Sequence, residues 1–167
     1  MKAIKVLVLD ADGVLTDGKI YFNDRGEEMK AFNSKDGHGI KLLMRAGLSV
    51  AIITGRTSRA LEHRAGELGI THLIQNAKDK RAAIHELAER IGCSLSEMAY
   101  VGDDVVDLPA MVLCGLTFAP ADAMEMVKSQ VDHVTEHGGG CGAVREAIEI
   151  LLKHMGMYDQ IMDRYRV

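Results

Sequence analysis

The chain has 167 residues, enough for one domain with a sizeable core and too few for a catalytic domain plus a separate lid. Hydrophobic residues make up 47% and charged residues 26%, which excludes a disordered, fibrous or disulfide-stapled chain. Twenty Lys and Arg against 24 Asp and Glu leave a net charge of −4, no footprint for nucleic acid, and the longest uncharged stretch, Leu108–Ala121, contains Pro109 and Pro120 and is too short to span a membrane.

Short β-branched runs alternate with longer helical patterns, which predicts βαβ units and a parallel α/β sheet flanked by helices. Lys5–Asp10 is the first strand, a nearly continuous apolar run as expected of a strand buried on both faces. Lys19–Phe32 then breaks the alternation. With Asn23-Asp24-Arg25-Gly26 at its centre it reads as a β-hairpin inserted where the first strand would normally pass into a helix. Because it borders the C-terminal end of that strand, where such sheets bind ligands, a role in function or assembly is expected.

Further along, Asp36–Ala46 is helical, Ser49–Thr54 is a strand and Ser58–Leu68 a helix; Thr71–Ile74 is a short strand and Asp79–Ile91 a helix. Met98–Gly102 and Leu116–Phe118 complete five strands, and Gly142–His154 is the last core helix. Gly47, Gly69 and Gly92 each follow a helical run, where a left-handed cap favours glycine. In the tail, residues 157–167, Tyr158, Ile161, Met162 and Tyr165 form an apolar stripe suited to core packing or to a neighbouring subunit. Cys93, Cys114 and Cys141 are odd in number and contain no CxxC pair, so reduced thiols and a cytoplasmic location are expected.

Chemistry gathers where apolar strands run into acids. Asp10 and Asp12 stand two apart at the end of the first strand and share a face. Asp103, Asp104 and Asp107 follow the fourth strand. Two acidic clusters at one sheet edge imply a shared cation, for which Mg²⁺ is the natural candidate because it takes a few carboxylates and keeps positions for water and phosphate oxygens. Thr54-Gly55-Arg56, at a strand-to-helix turn, offers a hydroxyl and backbone N–H groups to a phosphate. A lysine at a helix start is ordinarily solvated; Lys80, beside these clusters, would neutralise phosphate charge. Together the parts suit phosphoryl transfer through a covalent carboxylate.

Asp10-Ala-Asp12-Gly13-Val14-Leu15-Thr16-Asp17-Gly18, Ile53-Thr54-Gly55-Arg56, Lys80 and Gly102-Asp103-Asp104-x-x-Asp107 resemble, in order and spacing, the four motifs of the haloacid-dehalogenase-like phosphatases. The hairpin, Phe32–Ile40 and Gly139–Glu146 resemble the small branch of that family that lacks a cap domain and hydrolyses phosphorylated keto-sugar acids, 3-deoxy-D-manno-octulosonate 8-phosphate among them. The resemblance implies a single Rossmann-like domain over residues 1–167, with Asp10 as nucleophile and Asp12 as general acid/base. It implies Mg²⁺ held by Asp10, the Asp12 carbonyl and Asp103, with Asp104 and Asp107 orienting the metal's waters and Lys80. Thr54 would bind phosphoryl oxygens and Lys80 would stabilise the intermediate. Contacts to an anionic sugar phosphate map onto Asn33, Ser34, Lys35, Asp36, Gly37, Lys41, Gly55, Arg56, Arg64 and Lys80.

The chain departs from the branch at Cys141, where the glycine-rich loop often carries a base. Three other readings stay open: a phosphatase of nine-carbon or broader sugar phosphates, a receiver-like phosphoacceptor, and a non-catalytic assembly module. Arg56 is not replaced by an acid, which disfavours the nine-carbon substrate. The order of the acid pairs disagrees with a receiver. With no cap encoded, a homo-oligomer, as a tetramer in the family, is expected to cover each site with a neighbour's hairpin or tail.

Overall fold

The computed structural model describes residues 4–166. Met1–Ala3 and the last residue of the expected tail, Val167, lie outside the described residues. Its main sheet is built from β1 (Val6–Leu9), β4 (Ser49–Ile53), β5 (His72–Ile74), β6 (Met98–Val101), β7 (Leu116–Ala119) and β8 (His133–Val134). A separate two-stranded ribbon pairs β2 (Tyr21–Phe22) with β3 (Glu28–Met29).

All six strands of the main sheet run parallel, in the order β5-β4-β1-β6-β7-β8. The chain winds outward from β1 to one edge, then crosses back to β6 and winds to the other. The reversal falls between β1 and β6, and in doubly wound sheets the crevice beyond the carboxyl ends at such a point is where ligands bind.

Side-chain alternation along β1 builds both layers. Leu7 and Leu9 face a core completed by α1 (Ser34–Arg45), α2 (Arg59–Leu68) and α6 (Ala143–His154), while Val6 and Val8 face a second core completed by α3 (Lys80–Ile91), α4 (Leu108–Met111) and α5 (Glu125–Lys128). Three of the four long helices start on the side-chain acceptor of their own N-cap residue. Asn33 accepts from Lys35 N–H, Ser58 from Leu61 N–H and Asp79 from Ala82 N–H. The Asp79 cap places Lys80 at the first helical position, aimed at the sheet edge.

The five expected strands are present, and β8 is an addition. It has two exposed residues and no apolar run to announce it; it exists because Phe118 and Ala119 of β7 pair with it. The hairpin forms about the expected turn, where Asn23 Oδ1 accepts from the N–H groups of Arg25 and Glu27 and Gly26 takes a positive φ. The tail's α7 (Tyr158–Met162) lays Tyr158, Ile161 and Met162 against the chain's own first core, and Arg45 donates to the Tyr165 hydroxyl at 2.6 Å. No described helix is long and apolar enough to cross a membrane.

Candidate active site

Asp10 emerges from β1 into the crevice, buried, its carboxylate taking the Ala11 N–H at 2.7 Å and the Lys80 ammonium at 2.9 Å. Lys80 is buried as well and bonds Asp107 at 2.6 Å. Burial works against the Lys80 charge, but the Asp10 and Asp107 carboxylates outweigh it and raise its pKa, so the ammonium is held charged.

Asp107 is fully buried. It also accepts the Tyr100 hydroxyl at 2.9 Å and the N–H groups of Asp103 and Asp104 at 3.2 and 3.3 Å. With these donors its carboxylate is a scaffold for Lys80 and for the loop after β6.

One oxygen each from Asp10, Asp103 and Asp107 lie within 4.8 Å of one another. Burial, then the Asp10 charge, push Asp103 up to about 8, and burial with the Asp107 charge lifts Asp10 to about 6 against the pull of Lys80. Asp103 Oδ1 is buried and accepts no hydrogen bond. An orphaned carboxylate oxygen beside a second carboxylate is a donor set short of one cation, and it fits a hard divalent ion such as Mg²⁺. Gly13, at φ 86°, permits this approach: a Cβ there would run into the Asp103 carboxylate.

Asp12 faces the same cleft but has different company. Its carboxylate pairs with the Lys30 ammonium, and Arg56 Nε stands 3.9 Å from its other oxygen. Arg56 also pairs with Glu28. The cleft, about 400 Å³, is walled by Asp10, Asp12, Thr54, Gly55, Arg56, Lys78, Lys80, Asp103 and Asp104 among others. It therefore gathers the four expected motifs.

It does not gather all the expected substrate contacts. Asp36, 2% exposed, turns into the core and accepts the Arg145 N–H at 2.8 Å, so it caps α6 in place of the side chain that Gly142 lacks. Asn33 is spent on the α1 cap and on the Gly140 carbonyl, and Ser34 is exposed beside it. Lys41 points toward Gly69, at the far end of α2. Arg64 lies over Gly37 and the Phe32 ring, at α1's first turn, while Arg56 lies at the cleft, so the two arginines do not share a site within this chain. Lys35 borders a separate groove with Cys141 and Arg145.

Sequence reasoning missed Glu28, Lys30, Lys78 and Tyr100. Glu28-Met29-Lys30 did carry a signal: two charges flanking an apolar residue on a strand put both charges on one face. Lys78 and Tyr100 carried none, since an exposed lysine and an apolar-strand tyrosine look ordinary.

The doubly wound sheet and its acid–lysine crevice agree with a family model described as a haloacid dehalogenase-like hydrolase, which matches residues 37–115. The chain is 48% identical to the 3-deoxy-D-manno-octulosonate 8-phosphate phosphatase KdsC of Yersinia pestis, over 89% of this chain and 80% of that one. It is 46% identical to the Escherichia coli (strain K12) protein of the same name, over 94% and 84%. Its fold superposes with a TM-score of 0.95 on the phosphatase from Moraxella catarrhalis solved with magnesium, phosphate and KDO, at 40% identity over 98% of this chain and 94% of that one. The chain belongs to the haloacid dehalogenase-like hydrolases, within the family of the 3-deoxy-D-manno-octulosonate 8-phosphate phosphatases.

Proposed function

We propose that this chain is a magnesium-dependent phosphatase that hydrolyses 3-deoxy-D-manno-octulosonate 8-phosphate through an aspartyl phosphate on Asp10. The observation that carries the reading is Lys80, an ammonium buried between Asp10 and Asp107 at the switch point, beside the orphaned oxygen of Asp103. An Asp10 oxygen attacks phosphorus as the P–O bond to the sugar oxygen breaks, so that the oxygen leaves with the sugar. Asp12 gives its proton to the departing alkoxide. It then takes a proton from water, whose oxygen attacks phosphorus as the P–O bond to Asp10 breaks, which releases phosphate and frees the Asp10 carboxylate. Lys80 keeps Asp10 ionised before attack and offsets the phosphoryl charge afterwards. Thr54, at the cleft wall, offers its hydroxyl to the phosphoryl oxygens.

Asp10, Asp103 and the Asp12 carbonyl would hold Mg²⁺, with Asp104 on the exposed side; when bound, the ion supplies charge neutralisation at the phosphoryl oxygens. Arg56, Gly55 and Lys78 stand where an anionic sugar enters. Lys35, Lys41 and Arg64 serve a substrate only in a face this chain does not close by itself.

That division supports a homo-oligomer, a tetramer as the family suggests. The tail packs on its own chain, which leaves the hairpin for a neighbour: Phe22 is 60% exposed, with Ile20, Tyr21 and Met29 beside it. The nine-carbon substrate remains the second reading, disfavoured by Arg56. Phosphate release is to be measured over a panel of eight- and nine-carbon sugar-acid phosphates and simple sugar phosphates, with magnesium and with EDTA. Fastest, magnesium-dependent release from the eight-carbon substrate is expected. Release only from unrelated phosphates would overturn the substrate, and light scattering of Phe22→Asp as a tetramer would overturn the hairpin's part in assembly.

A further inference from the structure

The hairpin reaches the edge of the site through Lys30, which meets Asp12, and Glu28, which meets Lys30 and Arg56. Met29 of β3 points outward, and its neighbours Glu28 and Lys30 point inward. The Lys30 side chain is 2% exposed, although it stands in a surface ribbon. Its ammonium pairs with Asp12 Oδ1 and lies 3.3 Å from Glu28 Oε1. Glu28 in turn pairs with Arg56.

Lys80 is committed to Asp10 and Asp107, so among the described residues the cations facing Asp12 are Lys30 and Arg56. Arg56 is largely exposed and 3.9 Å away, and Lys30 makes the close contact. Asp12 Oδ1 is thus turned to Lys30 of the hairpin and Oδ2 to Arg56 of the turn after β4. A buried ammonium needs a partner that fixes it, and Glu28, two residues back on the same face, is that partner.

We propose that Lys30, clamped by Glu28, is a positioning residue that sets the Asp12 carboxyl on the leaving-group side of the cleft. This rests on the reading of Asp12 as the general acid/base. A purely structural pin would hold the hairpin and nothing more. The two roles separate by leaving group, because an alkoxide must be protonated as it departs and p-nitrophenolate need not be.

The test compares kcat/KM, which reports the first chemical step, on 3-deoxy-D-manno-octulosonate 8-phosphate and on p-nitrophenyl phosphate. Lys30→Met is expected to lose about 100-fold on the sugar phosphate and less than about fivefold on the aryl phosphate. Lys30→Arg, which restores a cation, is expected to recover most of the loss. Glu28→Gln keeps Lys30 but unclamps it, and is expected to show the same selectivity at smaller amplitude; it carries the comparison if Lys30→Met does not fold. Equal losses on both substrates, or no loss, would overturn the positioning role while leaving wild-type turnover untouched. A wild-type protein that releases phosphate from neither substrate would instead fail the underlying phosphatase reading.

Discussion

Asp10 and Asp12 stand two residues apart at the end of one strand, yet two different regions hold them. Asp10 belongs to the core: its partner Lys80 is buried at the start of α3 and is itself held by buried Asp107, from the loop after β6. Asp12 belongs to the rim: its partners, Lys30 and Arg56, come from the hairpin and from the exposed turn after β4. The contrast has a chemical reason. On the proposed mechanism the nucleophile must be ionised when it attacks and then hold the phosphoryl group at one point, so it is fixed by groups that cannot move. A group that gives and takes a proton must meet first the substrate and then water, so it is set by side chains at the mouth.

The largest effect that tests this contrast is Asp10→Asn, expected to lower kcat roughly 10⁴-fold or more in a phosphate-release assay because an amide cannot form the aspartyl phosphate. Asp10→Asn with substantial activity would break the distinction at its root. Lys80→Met comes next. It strands two buried carboxylates, so urea melts are expected to show a loss of about 3–5 kcal/mol together with a large fall in kcat. On the rim, Arg56→Met is expected to raise KM about tenfold with less than about 0.5 kcal/mol change in stability, since exposed ion pairs contribute little. A comparable stability loss at Arg56 and Lys80 would erase the difference between core and rim.

The core cluster also predicts a pH dependence. Burial holds Asp103 at about 8 and Asp10 at about 6, above their ordinary range. Between about pH 4 and pH 8 these two carboxyls therefore bind more protons in the folded chain than in the unfolded one, and their contribution to stability falls as pH rises. A divalent cation relieves that penalty. Thermal melts in EDTA are expected to show Tm declining across this window, and magnesium is expected to raise Tm more at pH 8 than at pH 5.5. The smallest effect is Tyr100→Phe, which removes one buried hydrogen bond to Asp107 and is expected to lose about 1 kcal/mol by denaturant titration.

What could be read without a structure was what depends on local pattern. Lys5–Asp10 and Ser49–Thr54 are apolar runs ending in polar residues, and a buried strand that stops at a sheet edge has no other way to look. The same logic put Asp10, Asp12, Thr54, Lys80 and Asp103 at one edge, because parallel strands present all their C-terminal ends together. The short elements were beyond reach. Two exposed residues in β8 and single-turn helices such as α4 and α5 follow from their neighbours, not from their own sequence.

The direction of individual side chains was decided by tertiary packing alone. The family resemblance maps a substrate contact onto Asp36, whereas the packing makes it a cap of α6, because Gly142 has no side chain to satisfy that helix's N-terminus. The tail stripe had two possible homes, and the apolar face of this chain's own first core took it. Nothing in the local pattern ties Lys30 to Asp12; the fold-over of the hairpin brings the two together. Periodicity fixes which face of an element is apolar and which end of a strand carries chemistry. It cannot say which distant groups meet there, because that depends on how the chain returns in space.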